Sequence, residues 1–174
     1  LCSVAISLPT LDDSLKRIME PRVPSAEARL KVVAQLADNG IPTSVLLAPL
    51  IPAINDAEIE SVLEAAADAG ACNAHYIFLR LPHEVAGLFD EWLTTHFPDR
   101  ATHVMSLVRQ ASGGRDYDNR FGVRQTGRGA YADMLGKRFR TAAKRYGLAP
   151  ERYQQNLDCT RFIKPGQQQL GLDL

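Results

Sequence analysis

The chain of 174 residues is poor in cysteine, in aromatic side chains and in long apolar runs, and each shortage removes a class of protein. Cys2, Cys72 and Cys159 stand singly. An odd number of thiols with no C-x-x-C pair builds neither a disulfide frame nor a zinc site, and reads as reduced cysteine in a cytoplasmic protein. No apolar run approaches the roughly 20 residues needed to cross a bilayer, and no signal-peptide pattern is present. His75, His83, His96 and His103 lack H-E-x-x-H spacing, so no metal centre is legible. Neither a G-x-S-x-G elbow nor a P-loop occurs, and the G-x-G of Gly127 and Gly129 does not follow a strand. An initiator methionine is missing as well. The chain opens inside an apolar run, LCSVAISL, as a fragment would.

What is there suffices for one globular domain or part of a larger one, with 45% hydrophobic residues. Net charge is zero but unevenly spread. Residues 1–112 hold 8 basic and 14 acidic side chains, and residues 113–152 hold 10 basic and 4 acidic. A polyanion is the partner that the second segment would suit.

The most informative stretch is Gly40 to Asp56, GIPTSVLLAPLIPAIND. Its apolar run from Ser44 to Ala48 is too short for a helix and is bracketed by Gly40 and Pro42 before it and Pro49 and Pro52 after it. It reads as a parallel strand buried on both faces. Val4 to Leu8 and Ala74 to Leu81 read as further strands, ended by Pro9 and Pro82. Helices are expected over Asp12 to Met19 and from a Ser25 cap to Gly40, the latter with Leu30, Val33 and Ala37 on one face. Asn55 and Glu58 have capping-box spacing before a helix whose buried stripe is Ile59, Val62, Leu63 and Ala66. Val85, Leu88, Phe89, Trp92 and Leu93 define another helix, Val104, Leu107 and Val108 the next. A last helix runs from about Tyr131 to Tyr146, with Leu135, Phe139, Ala142 and Tyr146 on one face.

Strands alternating with helices predict an α/β fold with a parallel sheet and right-handed crossovers. Three strands cannot close a barrel, and an open sheet would leave long edges, so the second half of a (β/α) barrel is expected. The domain organisation is then a half-barrel over 1–110, a basic loop and helix over 111–150, and a flexible polar tail over 151–174. Ligand-facing positions in such a fold are the C-terminal strand ends: Ser7 and Thr10, Ala48 to Asn55, and Arg80 to His83. The structural alternatives are a Ser7 hydroxyl bonded to backbone and an Arg80 that is only a surface charge.

The ordered series S-L-P-T-L, E-P-R-V-P-S, R-L, N-G-I-P, A-P-L-I-P-A-I-N-D and L-R-L-P, from about Val4 to Tyr146, resembles the radical SAM superfamily. The resemblance is to the branch of spore photoproduct lyase and its DNA repair photolyase-like relatives. It implies a partial (β/α)₆ barrel whose first strands lie upstream. It also implies S-adenosylmethionine bound to a [4Fe–4S] cluster in the complete protein. The family's C-x3-C-x2-C cluster motif is not in this chain, and Cys2 is no substitute. By the same resemblance Ser7 contacts the ribose or amino-acid part of the cofactor, and Pro49 and Ile51 pack on adenine. The backbone around Leu79 and Leu81 reads the adenine edge. Arg29 meets the carboxylate, or else pairs with Glu20.

Two partner surfaces complete the reading. Arg115, Arg120, Arg124 and Arg128, in a segment with Tyr117, Phe121, Tyr131, Phe139 and Tyr146, have the composition of a groove that tracks DNA phosphates while aromatics stack on bases; the alternative is a solvated helix face with its aromatics, Phe139 and Tyr146 at least, in the core. The terminal Gln169-Leu170-Gly171-Leu172-Asp173-Leu174 resembles the bacterial sliding-clamp-binding peptide, with Gln169, Leu170, Leu172 and Leu174 as its contacts. The expectation is therefore a fragment of a radical SAM enzyme acting on nucleic acid, inactive without its cluster-bearing half. The alternatives are a non-catalytic DNA- or clamp-binding adaptor and an ordinary barrel enzyme with its catalytic groups upstream.

Overall fold

Three short apolar runs become three parallel strands in a computed structural model that describes residues 3–115, 117, 120 and 125–148. They are β1 (Val4–Ser7), β2 (Thr43–Leu50) and β3 (Asn73–Phe78), hydrogen-bonded in the order β1-β2-β3. Register pairs Ser7 with Leu46 and Leu46 with His75. Helices α1 (Asp13–Met19) and α2 (Ala26–Asp38) connect β1 to β2, and a 3₁₀ turn (Asp56–Glu58) leads into α3 (Ile59–Asp68) before β3. Helices α4 (Val85–His96), α5 (Ala101–Ala111) and α6 (Ala130–Arg145) follow.

Local chemistry sets the boundaries. Asp12 caps α1 by accepting from the amides of Ser14 and Leu15, and Ser25 caps α2 by accepting from Ala28. Each such cap is worth about 1 kcal/mol. After α3 the chain reverses through Gly70 at φ +87°, where a Cβ would stand 2.8 Å from that of Ala37. No side chain fits there without moving α2 from α3.

Strand alternation decides where the core lies. Val45 and Leu47 are fully buried and join Val33 of α2, the Val62–Leu63–Ala66 stripe of α3 and Leu135 and Phe139 of α6. Ser44, Leu46 and Ala48 on the opposite face are only half-buried. The expectation that β2 is buried on both faces therefore fails, because the core cluster covers one face. A second, smaller core joins Ile51, Leu81 and Leu93 to Val104, Met105 and Val108 of α5.

Other boundaries also differ from the sequence reading. β2 runs on through Pro49 to Leu50, with the Ala48–Pro49 bond cis, and β3 stops at Phe78, short of Leu81. On α4 only Leu93 is fully buried, while Leu88 is 62% exposed. Its apolar face is narrower than the periodicity implies: Phe89 and Trp92 are only partly buried against the second core, and Leu88 faces solvent. The expected capping box does not form, since Asn55 makes no side-chain bond to the helix it precedes.

The two sheet edges differ. On the outer edge of β3, Phe78 donates to Gln125 O at 2.7 Å and Ala74 to Leu148 O at 3.3 Å, which covers a strand that would otherwise be open. Among the described residues, β1 pairs with β2 alone. The parallel sheet and its helices are compatible with part of a barrel.

Candidate functional site at the strand ends

The loops that leave β1 and β2 are tied to each other by side chains. Asn55 is fully buried: its Oδ1 accepts from the Ile51 amide at 2.7 Å, and its Nδ2 donates to Pro9 O at 2.8 Å and Pro49 O at 2.9 Å. Glu58 accepts from the Thr10 hydroxyl at 2.6 Å and the Leu11 amide at 2.7 Å. This is why the capping box is absent. Both residues satisfy backbone in the neighbouring loop, which would otherwise be buried without partners, a cost of about 1–3 kcal/mol per group.

The same economy occupies Ser7 and Arg29. The Ser7 hydroxyl donates to Ala48 O at 3.1 Å. Arg29 donates to Ser7 O at 2.8 Å and Pro24 O at 3.2 Å and pairs with Glu20 at 2.5 Å, with its side chain 11% exposed. The ion pair named as its structural alternative is thus present. Arg80 is exposed but not idle: it donates to the Tyr117 hydroxyl at 2.8 Å, with its guanidinium 5.6 Å from that ring's centre.

Two residues in these loops hold left-handed backbone without being glycine, Ala53 at φ +57° and His83 at φ +50°. Such a conformation costs about 1–2 kcal/mol, so it persists where neighbours impose it. Around Ala53 they are visible. Arg100 donates to its carbonyl at 3.4 Å, and the Tyr131 hydroxyl of α6 donates to the buried Asp56. Burial, then the Asp56 bond and charge, push the Tyr131 phenol up to about 12.

With the polar groups so occupied, the lining that remains is apolar. Pro49, Ile51 and Leu79 meet Met19, Phe89 and Trp92 around a recess of about 210 Å³. The Trp92 and Phe89 rings stack with centres 5.5 Å apart, and the indole donates to Ile18 O at 3.1 Å. Three of the six residues expected at the cofactor therefore share one wall. Leu81 does not line it and lies in the second core, to which Ile51 also contributes. Ser7 and Arg29 brace the loops beside that wall.

Sequence reasoning missed Met19, Phe89 and Trp92 as lining residues. The signal was available in the chain's one tryptophan, placed on the helix directly after β3. It also missed Asn55 as the tie between loops, which only the structure reveals.

Other expectations fall elsewhere. Arg115, Arg120 and Arg128 are exposed, and the Arg128 guanidinium lies over Gly113, in space that a Cβ would fill. Arg124 lies outside the described residues, as do Gln169, Leu170, Leu172 and Leu174 and all of the expected tail. Cys72 is a free, half-buried thiol near Thr43 O, and Cys2 and Cys159 are outside the described residues. A cavity of about 710 Å³ lies between α3 and α6 and is lined by helix residues and Tyr146, with Arg138 held by Glu60. No described helix is long and apolar enough to cross a membrane.

The family model of the Radical SAM superfamily matches residues 1–66, which contain β1, β2 and the tied loops. Uncharacterized proteins of Mycobacterium tuberculosis and Mycobacterium bovis are 30% identical over 110 residues, covering 62% of this chain and 32% of theirs. An uncharacterized protein of Acidianus two-tailed virus is 30% identical over 84 residues, covering 45% of this chain and 27% of its own. The chain thus spans about a third of the length of the curated mycobacterial relatives it matches. No solved structure matches.

The two groups that radical SAM chemistry requires fare differently here. An apolar recess faced by stacked aromatics suits one flat heterocycle. At 210 Å³ it is smaller than the roughly 300–1,000 Å³ that encloses a whole ligand, so its space matches a single ring and not a complete nucleoside. For the [4Fe–4S] cluster there is no fit. Among the described residues, no group of His, Cys, Asp or Glu could hold a metal.

Proposed function

We propose that this chain supplies the adenine-packing part of a radical SAM enzyme, as the C-terminal half of a partial barrel in the spore photoproduct lyase-like branch. The observation that carries the reading is the meeting of Pro49, Ile51 and Leu79 in one apolar recess, beside the strand ends that the family model covers. When bound, S-adenosylmethionine with its [4Fe–4S] cluster would supply radical chemistry for hydrogen abstraction. The residues here bind and orient. Pro49, Ile51 and Leu79 receive the purine ring, Trp92 and Phe89 exclude water from it, and Asn55, Arg29 and Ser7 hold the loops in place. The cluster ligands belong to another part of the protein. The expected substrate is nucleic acid, supported by the basic composition of residues 113–152, and DNA lesions are the first class to test. The sliding clamp remains the partner proposed for Gln169 to Leu174.

Trp92 provides the test, because it is the chain's single tryptophan and lines the recess. Titration with S-adenosylmethionine, and separately with adenosine, should change its emission saturably. Leu79→Asp, which places a charge in the recess, should abolish the response while leaving the circular dichroism spectrum intact. No emission change up to millimolar ligand, or an equal response from folded Leu79→Asp protein, would overturn the proposal.

A further inference from the structure

A second cavity, of about 570 Å³, lies at the outer edge of β3, away from the residues of the recess. It occupies the gap between the two backbone bonds that cover this edge, Ala74 to Leu148 below and Phe78 to Gln125 above. Period-two alternation points the Tyr76 amide the same way as those of Ala74 and Phe78, into that gap. Leu46, Ile77 and Phe139 give the cavity an apolar floor.

Its rim is cationic. Arg140 and Lys144 of α6, one turn apart, face it from one side, and His75 of β3 faces it from the sheet. Gln125 and Thr126 add neutral polar groups, and no Asp or Glu lines the cavity among the described residues. Both α6 cations are exposed, whereas Arg138 on the same helix is held by Glu60.

Gly136 gathers the donors. A Cβ at this position would stand 3.0 Å from the Tyr76 hydroxyl oxygen and 3.2 Å from Arg140 Nη1. Both groups lie over the helix where other residues carry a side chain. Glycine is among the poorest helix formers, and here it lets α6 approach β3 and turns the guanidinium toward the cavity. Burial pushes the Tyr76 phenol up, keeping it a neutral donor at physiological pH.

We propose that this cleft is a phosphate-binding site, with Arg140 and Lys144 as its charged contacts and His75 on the facing wall. The exposed face of α6 argues against an anionic membrane surface, since beside Lys137, Arg140, Thr141 and Lys144 it carries a single large apolar side chain, Met134, to insert. Two sources share the chemistry, a phosphodiester of a nucleic acid strand and the phosphate of a free nucleotide. The proposal uses none of the residues of the adenine recess, so either can fail without the other.

The test is fluorescence anisotropy of a labelled 12-nucleotide single strand with the whole chain at 50 and 200 mM salt. Adenosine monophosphate, inorganic phosphate and polyglutamate serve as competitors. The Arg140→Gln/Lys144→Gln double variant should bind at least tenfold more weakly and show a shallower salt dependence. His75→Gln should lose severalfold. Lys137→Gln, a cation of the same helix outside the cleft, should change affinity less than twofold. Displacement by millimolar adenosine monophosphate or phosphate assigns the cleft to free phosphates, and displacement only by unlabelled strand assigns it to nucleic acid; either supports the site. Equal loss from Lys137→Gln, equal competition by polyglutamate, or unchanged binding by folded double variant would overturn it.

Discussion

The recess at the strand ends and the cleft at the β3 edge stand on one sheet yet use polar side chains in opposite ways. Around the recess, Asn55, Glu58, Arg29 and Ser7 are all turned to backbone or to one another, and the lining left over is apolar. At the cleft, Arg140 and Lys144 are left to solvent, and their backbone neighbours are satisfied by main chain from Gln125 and Leu148. A loop that must hold its shape consumes polar groups, so the surface it presents recognises by shape and stacking. An edge already sealed by backbone leaves its charges available, and recognises by charge.

The comparison breaks most readily at Asn55. Asn55→Ala removes three hydrogen bonds and strands buried partners, so it should cost about 3–5 kcal/mol of stability in urea unfolding. A loss within 1 kcal/mol would mean that the loops do not depend on this tie. Neutralising Arg140 and Lys144 should by contrast stay within about 0.5 kcal/mol of the parent.

Tyr131 sharpens the same contrast with a smaller effect. Tyr131→Phe should cost about 1.5 kcal/mol at neutral pH, since a hydrogen bond to a carboxylate is lost. The pH dependence has a definite sign. A phenol whose folded pKa is about 12, above the ordinary 10, contributes stability in full below pH 10. That contribution is lost as pH rises through 12. Thermal unfolding between pH 9 and 12 should therefore fall less steeply in Tyr131→Phe than in the parent. Tyr76, shifted in the same direction by burial, retains part of the slope in both.

A smaller effect than at Tyr131 is expected at Ala53. Ala53→Gly relieves a left-handed Cβ but adds unfolded-state entropy, for a net gain of about 0.5–1 kcal/mol. A destabilised variant would show that the methyl group packs usefully and that the strain account is wrong.

Much of the fold was legible because it was written in local chemistry. The Ser25 cap, the helix-ending Gly40 and the Ile59–Val62–Leu63–Ala66 stripe are short-range signals, and each appears where the sequence puts it. Pro49 and Ile51 stood among the expected strand-end positions, whereas Leu79 was nominated through the family resemblance. What was not legible depended on contacts between distant segments. Asn55 and Glu58 have the spacing of a helix cap, but Pro9, Thr10 and Leu11, more than 40 residues away, compete for the same atoms and win. Leu88 repeats at core spacing on α4, yet periodicity cannot say how much of a helix its neighbours cover. Arg140 and Lys144 read as a solvated helix face until Gly136 and the β3 edge place them over a cavity.

The unequal edges of the sheet give the fold a direction of growth. At β3 the amides of Ala74 and Phe78 are already capped by Leu148 and Gln125, so a newcomer there would have to displace covalently attached chain. At β1 no described strand stands in the way, and the exposed Ala5 offers little bulk against a neighbour. The sheet behaves like a polymer with one end terminated and the other still living. A complementing peptide, a split-protein partner or an engineered fusion would succeed or fail at β1.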